Sequence, residues 1–244
     1  MTKLSVNLNK FALIRNARGT DFPNLEKMGR RTIAAGVHGL TVHPRPDQRH
    51  IRYDDVPVLR SLCSEFGAIE YNIEGNPEGA FIDLVLDNPP DQCTLVPDDP
   101  NQLTSDHGWN IDTRGGDLAT MVQRFQSAGI RVSLFMDPDP EQIKKVSDTG
   151  AERIELYTEP YAKAYGTAEE TAVWEQFAKA AETAKECGLG INAGHDLNLD
   201  NLGRFLTIPN ILEVSIGHAI VVESFDYGYE DTLRRYLDIV NASA

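Results

Sequence analysis

Residues 129–135, with the sequence Gly-Ile-Arg-Val-Ser-Leu-Phe, show the pattern that decides the fold of this chain. A helix-forming stretch ends at a glycine, and a short β-rich run follows at once. Glycine beyond a helix end adopts the left-handed conformation without a Cβ clash, so the helix stops there and a strand can begin. The same succession recurs at 36–42, 67–73, 150–156 and 188–194. The chain is therefore predicted to alternate helices with strands.

Eight strands are predicted when these repeats are extended outward along the chain. Their ranges are 4–9, 39–45, 68–74, 92–97, 131–137, 153–158, 190–195 and 213–218. Helix signals fill most of the gaps, including N-cap patterns at Asn76, Asp139 and Thr167. Eight strand–helix units in 244 residues favour a (β/α)₈ TIM barrel with extra helices, built as one domain over 1–244. A doubly wound open sheet is the alternative, because periodicity alone does not show that the sheet closes.

The composition, with 41% hydrophobic and 25% charged residues, is that of a globular protein. The sequence contains no apolar run of about 18 residues and no secretory signal, so we expect no membrane partner. The three cysteines are widely spaced and fit neither a disulfide framework nor a zinc site. The expected location is therefore the reducing cytoplasm.

The net charge of −14 is unevenly distributed. It disfavours nucleic acid as a partner, because a duplex binder normally neutralises several phosphates with a basic face. Residues 1–53, in contrast, hold ten Lys and Arg against three Asp and Glu, a net charge of +7. This basic segment is either a solvated face, a subunit contact or a binding site for small anions.

Polar side chains follow the ends of the predicted strands. In a TIM barrel these ends surround the active site, so the residues there are the candidates for chemistry. They are Asn7, Asn9, Lys10, His43, Arg45, Asn72, Glu74, Glu155, Tyr157, Asn192, His195, Asp196, Gly217 and His218, with His50 in the loop after the second strand. Histidine titrates near neutral pH, so the convergence of several histidines predicts acid–base catalysis.

Some of these residues have a structural alternative. Glu74 and Glu155 could be buried acids paired with Lys or Arg, and Asp196 could cap the following helix. Cys93, on the fourth strand, is expected to be a small core residue rather than a nucleophile. The polar loop over 98–115 is a candidate lid that would exclude water from the site.

Two groups of residues predict binding sites for phosphate. Gly194 and Gly217 lie at the ends of strands seven and eight, where TIM barrels often bind phosphate through backbone N–H groups. The segment 43–50 supplies cationic side chains, and Arg18 offers a bidentate donor. Two anion sites over one barrel mouth indicate two phosphorylated substrates or one bisphosphate.

Six short motifs occur in order along the chain. They are Asn16-Ala-Arg-Gly19, Thr41-Val-His-Pro-Arg45 with Arg49-His50-Ile51, Asn72-Ile-Glu74, Leu95-Val-Pro97, Asn192-Ala-Gly-His195 and Ile216-Gly-His-Ala219. Together they resemble the signatures of the pyridoxine 5′-phosphate synthase (PdxJ) family. The resemblance runs from about residue 4 to residue 222 with similar spacing, apart from a short insertion between His50 and Glu74.

The resemblance implies a TIM-barrel transferase that joins 1-deoxy-D-xylulose 5-phosphate to 3-amino-2-oxopropyl phosphate. The products would be pyridoxine 5′-phosphate, phosphate and water, formed with no metal or organic cofactor. His43 and Glu74 would be general bases, and His195 the proton donor. The implied ligands of deoxyxylulose phosphate are Asn9, Lys10, Arg45, His50 and Thr104, and those of the amino-ketone phosphate are Asn7, Arg18, Asp196, Gly217 and His218. The resemblance also implies a homo-oligomer, commonly an octamer.

Two positions depart from the pattern of the family. Many members have Asp-His where this chain has Asn9-Lys10, and Gly where it has Asp196. Lys10 still offers a cation to a phosphate. Asp196 would bring negative charge near a phosphate unless it turns away or pairs with the substrate amine.

The residues alone leave two other functions open. A metal-dependent sugar-phosphate isomerase or epimerase could use Glu74, Glu155, His195 and His218 as oxygen and nitrogen ligands. A non-catalytic binder of sugar phosphates is the third possibility.

Overall fold

The computed structural model describes residues 1–99 and 102–242. Within these ranges eight parallel strands form a closed barrel in chain order. They are β1 (Lys3–Asn7), β2 (Gly39–Val42), β3 (Glu70–Gly75), β4 (Gln92–Leu95), β5 (Arg131–Met136), β6 (Arg153–Tyr157), β7 (Gly190–Gly194) and β8 (Ile211–Ile216). Leu4 of β1 pairs with Val214 of β8, which closes the sheet. The TIM barrel is confirmed, and the doubly wound alternative is wrong.

Helices surround the barrel and connect its strands. They are α1 (Asn9–Arg18), α2 (Leu25–Ala34), α3 (Asp55–Phe66), α4 (Ala80–Asp87), α5 (Ile111–Ser127), α6 (Pro140–Val146), α7 (Glu159–Ala164), α8 (Glu170–Glu186), α9 (Leu202–Phe205), α10 (His218–Tyr227) and α11 (Tyr229–Ala242), with a short 3₁₀ helix at Ser147–Thr149. Several connections contain two helices, as predicted. None of the helices in the described part of the chain has the length and apolar character needed to cross a membrane.

All eight predicted strands are present, but most of them end earlier than predicted. The second strand, for example, was expected to reach residue 45 and stops at Val42, whose pairing partner is Ile73. The ladder ends there because the chain turns into the polar loop that carries His43 and Arg45. The polar residues at the ends of the strands therefore belong mainly to loops above the barrel.

Only one of the three predicted N-caps is confirmed. The Asp139 carboxylate accepts hydrogen bonds from the N–H groups of Glu141 and Gln142 at the start of α6. Asn76 instead donates its amide to the carbonyl of Asp98 on a neighbouring connection, and Thr167 precedes the start of α8. The N-cap residues observed are Gly79 for α4 and Glu169 for α8, two to three residues after the predicted positions.

The two sides of the barrel wall differ in polarity because alternate strand residues face opposite sides. The side toward the helices carries buried apolar residues, such as Leu4, Val6, Leu40, Val42, Tyr71, Ile73, Cys93, Val132, Leu134, Ile154, Leu156 and Val214. The side toward the barrel axis carries Ser5, Thr41, Asn72, Gln92, Thr94, Ser133 and Asn192, all of them buried. Asn192 of β7 donates to the side-chain oxygen of Gln92 of β4 across the axis, over 3.2 Å. The interior is therefore polar, unlike the aliphatic interior of many TIM barrels.

Cys93 is fully buried among the core residues on the helix-facing side of β4. Burial raises the pKa of its thiol well above the ordinary value. A protonated, inaccessible thiol is a poor nucleophile, so the prediction of a core residue is confirmed.

Candidate active site

A cavity of about 480 Å³ lies at the C-terminal ends of the barrel strands. Twelve of the thirteen residues predicted for catalysis or substrate binding line it. They are Asn7, Asn9, Lys10, His43, Arg45, His50, Glu74, Thr104, His195, Asp196, Gly217 and His218. Closure of the barrel thus gathers residues from both ends of the chain around one space.

Arg18 is the predicted ligand that does not line this cavity. It is the last residue of α1, and its side chain is exposed. Its part in substrate binding stays a prediction that the cavity itself does not support.

His43 and Glu74 form an acid–base pair at the ends of β2 and β3. The Nδ1 atom of His43 lies 3.7 Å from Oε2 of Glu74. Burial, together with the charge of Arg45, lowers the pKa of His43 well below its usual 6.5. Burial, together with the nearby Glu155, raises the pKa of Glu74 well above its usual 4.5. Burial therefore favours the neutral form of both side chains, an unprotonated imidazole for His43 and a carboxylic acid for Glu74.

His195 follows β7 in an uncommon backbone conformation, with φ of 90°. The Thr158 hydroxyl donates hydrogen bonds to the carbonyls of Gly194 (2.8 Å) and His195 (2.5 Å), which stabilises this turn. The ring Nε2 lies 2.9 Å from the Thr104 hydroxyl, and Nδ1 lies 3.3 Å from the Asp196 carboxylate. Asp196 therefore contacts the proposed proton donor, and the alternative that it caps the following helix is wrong.

One wall of the cavity is the N-terminus of α10. Gly217 is its N-cap, no side chain caps the helix, and both Gly217 and His218 line the cavity. A Cβ at position 217 would lie 2.9 Å from the carbonyl oxygen and the Cβ of Asn7, so only glycine fits there. Free N–H groups and the helix dipole make this wall suitable for a phosphate, as the sequence predicts.

A second part of the lining carries the cations of the basic N-terminal segment, Lys10, Arg45 and Arg49, together with His50. Burial and the charge of Lys10 lower the pKa of His50 to about 4, so the ring is neutral at pH 7. Other cations of the segment form surface ion pairs, such as Arg30 with Glu65. The basic segment thus divides between a solvated face and a cationic wall of the cavity.

The connection between β4 and α5 folds over the cavity. Arg49 donates hydrogen bonds to the carbonyls of Gln102 (2.6 Å) and Leu103 (2.7 Å), and Thr104 reaches His195. The predicted lid, 98–115, includes residues 100 and 101, which lie outside the described residues, and its last residues belong to α5. The described part of this connection forms a roof over the site.

Comparison with known families decides the family of the chain. The model of the family described as pyridoxal phosphate biosynthesis protein PdxJ matches residues 4–242. The chain belongs to the PdxJ family. A relative from Bacteroides thetaiotaomicron, named pyridoxine 5′-phosphate synthase, is 52% identical over 237 residues, which cover 97% of this chain and 98% of that protein. Another of the same name, from Chelativorans sp., is 48% identical over 245 residues, covering 98% of this chain and 99% of that protein.

Solved structures share the fold at low sequence identity. The 3-hexulose-6-phosphate synthase of Salmonella typhimurium has a TM-score of 0.66 and 13% identity, and the alignment covers all of both chains. The phosphoribosyl anthranilate isomerase of Thermotoga maritima has a TM-score of 0.63 and 11% identity, over 99% of this chain and 100% of that one. At such identity these two structures indicate the barrel architecture alone.

Asn9, one of the positions that depart from the PdxJ pattern, has a clear structural role here. Its side-chain oxygen accepts a hydrogen bond from the backbone N–H of His43 over 2.9 Å. Asn7 in turn accepts from the backbone N–H of Asn9, also over 2.9 Å, and its amide lies 3.4 Å from Glu74. The two asparagines therefore help to hold the acid–base pair, a role that the sequence does not predict.

Asp98 and Ser105 belong to the connection between β4 and α5, Ser105 in the cavity lining and Asp98 next to it. The sequence did not single out either residue. Ser105 lines the cavity and donates its hydroxyl to the Asp98 carboxylate, which also contacts Arg45 and His43. The signal that could have found Asp98 is its place directly after the fourth-strand motif Leu95-Val-Pro97.

Glu155 and Glu74 are both buried, yet neither forms an ion pair with Lys or Arg among the described residues. The alternative of structural ion pairing is therefore wrong for both. The described ranges also contain no group of three or more His, Cys, Asp or Glu side chains placed to hold a metal ion.

Glu155 is expected to make stability depend on pH. Burial, with the neighbouring Glu213, raises its pKa from 4.5 to about 8. Between these two values the unfolded state binds fewer protons than the folded state, so the free energy of unfolding falls as pH rises from about 5 to 8. The contribution is on the order of 4 kcal/mol. Glu155→Gln should therefore show a smaller decrease in melting temperature between pH 6 and pH 9 than the parent protein.

The matched control for this measurement is Glu175→Gln, on the exposed face of α8. It should follow the parent at every pH. Equal decreases for the parent and Glu155→Gln would contradict the assignment of a buried, protonated Glu155.

Proposed function

We propose that this PdxJ family member is a pyridoxine 5′-phosphate synthase of vitamin B6 biosynthesis. It joins 1-deoxy-D-xylulose 5-phosphate to 3-amino-2-oxopropyl phosphate and releases phosphate and water. The observation that carries the proposal is the cavity itself, in which three acid–base side chains, His43, Glu74 and His195, lie between two walls suited to phosphate. Two phosphorylated substrates that react with each other need this arrangement.

The two walls support an assignment of the substrates. Deoxyxylulose phosphate is placed at the cationic wall, with Lys10, Arg45 and His50, and Thr104 from the roof. The amino-ketone phosphate is placed at the N-terminus of α10, where Gly217 and His218 present backbone N–H groups. Asn9 is proposed as a further ligand of deoxyxylulose phosphate, and Asn7 and Asp196 as further ligands of the amino-ketone phosphate. Asp196 lines the cavity and would attract the ammonium group of this second substrate.

The protonation states support a different role for each of the proposed catalytic residues. Imine formation, dehydration, ring closure and aromatisation each require protons to be moved at different atoms. Neutral His43 removes a carbon-bound proton near ring closure, and Glu74 relays protons during imine formation and dehydration. His195 protonates a departing oxygen. No step in this scheme requires a group other than the side chains of the chain.

The roof over the cavity protects the imine and enol intermediates from water. Arg49→Lys is expected to weaken the roof, because one ammonium group does not reproduce a guanidinium whose Nη2 donates to both carbonyls while its Nη1 donates to Asp47. We expect KM for deoxyxylulose phosphate to rise about tenfold, as for the loss of one to two charge-assisted hydrogen bonds. Proteolysis near the exposed Leu103 should also accelerate.

The matched control for the roof is Arg52→Lys, in the same basic segment but outside the cavity lining. It should leave both KM and proteolysis unchanged. An unchanged KM and an unchanged cleavage rate for Arg49→Lys would show that these hydrogen bonds do not hold the roof.

We also propose a homo-oligomer, with an octamer as the expected assembly, in the cytoplasm. Exposed apolar side chains on two adjacent helices support self-association: Leu13 and Ile14 on α1, and Val222 and Phe225 on α10. Apolar groups clustered on a surface favour burial against another chain. Light scattering coupled to size-exclusion chromatography measures the assembly directly, and a monomer would overturn this part of the proposal.

The reaction is tested by mixing both phosphorylated substrates with protein that has been stripped of metal ions. Formation of pyridoxine 5′-phosphate together with inorganic phosphate is the expected result. Product that forms only after one divalent ion is added back would favour a metal-dependent enzyme. Ligand-induced stabilisation without any product would favour a sugar-phosphate binder.

A further inference from the structure

Asp98 lies where the lid, the cationic wall and the acid–base pair meet. Its side chain is buried, with 6% of the residue exposed. One carboxylate oxygen, Oδ2, lies 2.6 Å from Nη2 of Arg45 and accepts a hydrogen bond from the Ser105 hydroxyl over 3.1 Å. The same oxygen lies 3.4 Å from Nε2 of His43. One buried carboxylate thus contacts both a proposed phosphate ligand and a proposed base.

The backbone around Asp98 is held by the end of β3. The N–H of Val96 donates to the carbonyl of Gly75 over 2.9 Å, which continues the strand pairing beyond β4. The side-chain amide of Asn76 donates to the carbonyl of Asp98, also over 2.9 Å. The carboxylate therefore projects from a well-anchored segment, which is what a group that orients its neighbours requires.

The contact with His43 bears on which ring nitrogen carries the proton. A neutral imidazole has one N–H donor and one acceptor nitrogen, and an ionised carboxylate can only accept. The carboxylate of Asp98 faces Nε2, so it favours the tautomer with the proton on Nε2. In that tautomer Nδ1, which faces Glu74, is the basic nitrogen of the ring. Contacts of this length commonly shorten when a substrate binds.

We propose that Asp98 is a positioning residue, which holds His43 in the Nε2–H tautomer and orients the guanidinium of Arg45. The kinetic consequence rests on the proposed function, whereas the tautomer is a property of the protein by itself. Asp98 acts through His43 and Arg45, both of which line the cavity, and is not itself among the lining residues.

Kinetics with Asp98→Asn tests the proposal. The amide keeps the shape of the side chain but can present either its oxygen or its NH₂ group to His43, so the tautomer is no longer selected. We expect kcat to fall about 100-fold, within the range for loss of general base catalysis. KM for deoxyxylulose phosphate, the substrate assigned to Arg45, should rise by up to about tenfold, and KM for the amino-ketone phosphate should change by less than about threefold. Asp98→Glu, which keeps the carboxylate, should stay within about tenfold of the parent.

The matched control is Asp99→Asn, the same substitution at the exposed neighbouring residue. It should leave kcat, KM and melting temperature unchanged. A kcat of Asp98→Asn equal to that of the parent would overturn the proposal. So would a rise in KM alone, which would indicate that Asp98 only holds the lid.

The tautomer is measured by solid-state NMR on protein labelled with ¹⁵N at histidine. The signals of His43 are those that disappear in His43→Gln. The parent should show a protonated Nε2 and an unprotonated Nδ1, and Asp98→Asn should show both tautomers. An Nε2–H tautomer that remains the only one observed in Asp98→Asn would overturn the proposal. A parent that makes no product would overturn the proposed function alone, because the NMR measurement still decides the role of Asp98.

If Asp98→Asn does not fold, the parent and Asp98→Glu still test the proposal. A parent His43 protonated on Nδ1, or a different tautomer in Asp98→Glu, would overturn it.

Discussion

His43→Gln is expected to lower kcat for pyridoxine 5′-phosphate formation by about 10³-fold, within the range for loss of a general base. Glutamine keeps hydrogen-bonding capacity and similar bulk, but it does not accept a proton near neutral pH. His43 is the base whose buried ring lies between Glu74 and Asp98, at 3.7 and 3.4 Å. Steady-state kinetics with both substrates measures the loss, and the melting temperature shows whether the fold is preserved.

The matched control is His107→Gln, since His107 is exposed and does not line the cavity. It should retain the activity of the parent. Near-parent kcat in a folded His43→Gln protein would remove His43 from the catalytic set and leave the proton removal to another residue.

Glu74→Gln is expected to lower kcat by about 10²-fold to 10³-fold, also within the range for acid–base catalysis. Burial and Glu155 raise the pKa of Glu74, which brings its carboxyl group closer to the pH at which it can both take up and release a proton. Glutamine has nearly the same shape and keeps one acceptor oxygen for the long contacts that Asn7 and Asn72 donate, but it has no carboxyl proton to relay. The melting temperature should therefore change little while turnover falls.

Glu175→Gln, on the exposed face of α8, is the matched control and should be fully active. The double variant His43→Gln/Glu74→Gln adds a sharper measurement. If the two side chains relay the same proton, the double variant should be little slower than the worse single variant, because residues that act as a unit have non-additive effects. Losses that multiply would show that His43 and Glu74 serve independent steps.

Local sequence was sufficient to predict the order of strands and helices. The glycines that end helices, such as Gly129 and Gly150, take positive φ angles in the structure and are followed at once by strands. The Asp139 cap is confirmed because it needs only the next three residues. The predicted cap at Asn76 is wrong because its amide binds the carbonyl of Asp98, which is distant in sequence.

Much of the candidate site was also predictable, because a closed parallel barrel brings the ends of all its strands to one mouth. His43, Glu74 and His195 were found in this way, each directly after or at the end of a strand. Arg18 was placed with them only through a motif, and its side chain lies outside the cavity. Asp98 was missed because its place after the motif Leu95-Val-Pro97 does not show that its carboxylate reaches Arg45 and His43.

The sequence by itself therefore determined the barrel, the family and most of the residues around its mouth, because these follow from short-range pattern and from motif order. Only the tertiary structure decided the contacts that control chemistry: Asp98 with His43, Thr104 with His195, and Asn9 with the backbone of His43. It also decided the protonation states, such as that of Glu155, since a pKa depends on burial and on charges that other strands supply. Distances between residues far apart in the chain are set by packing, and catalysis depends on those distances.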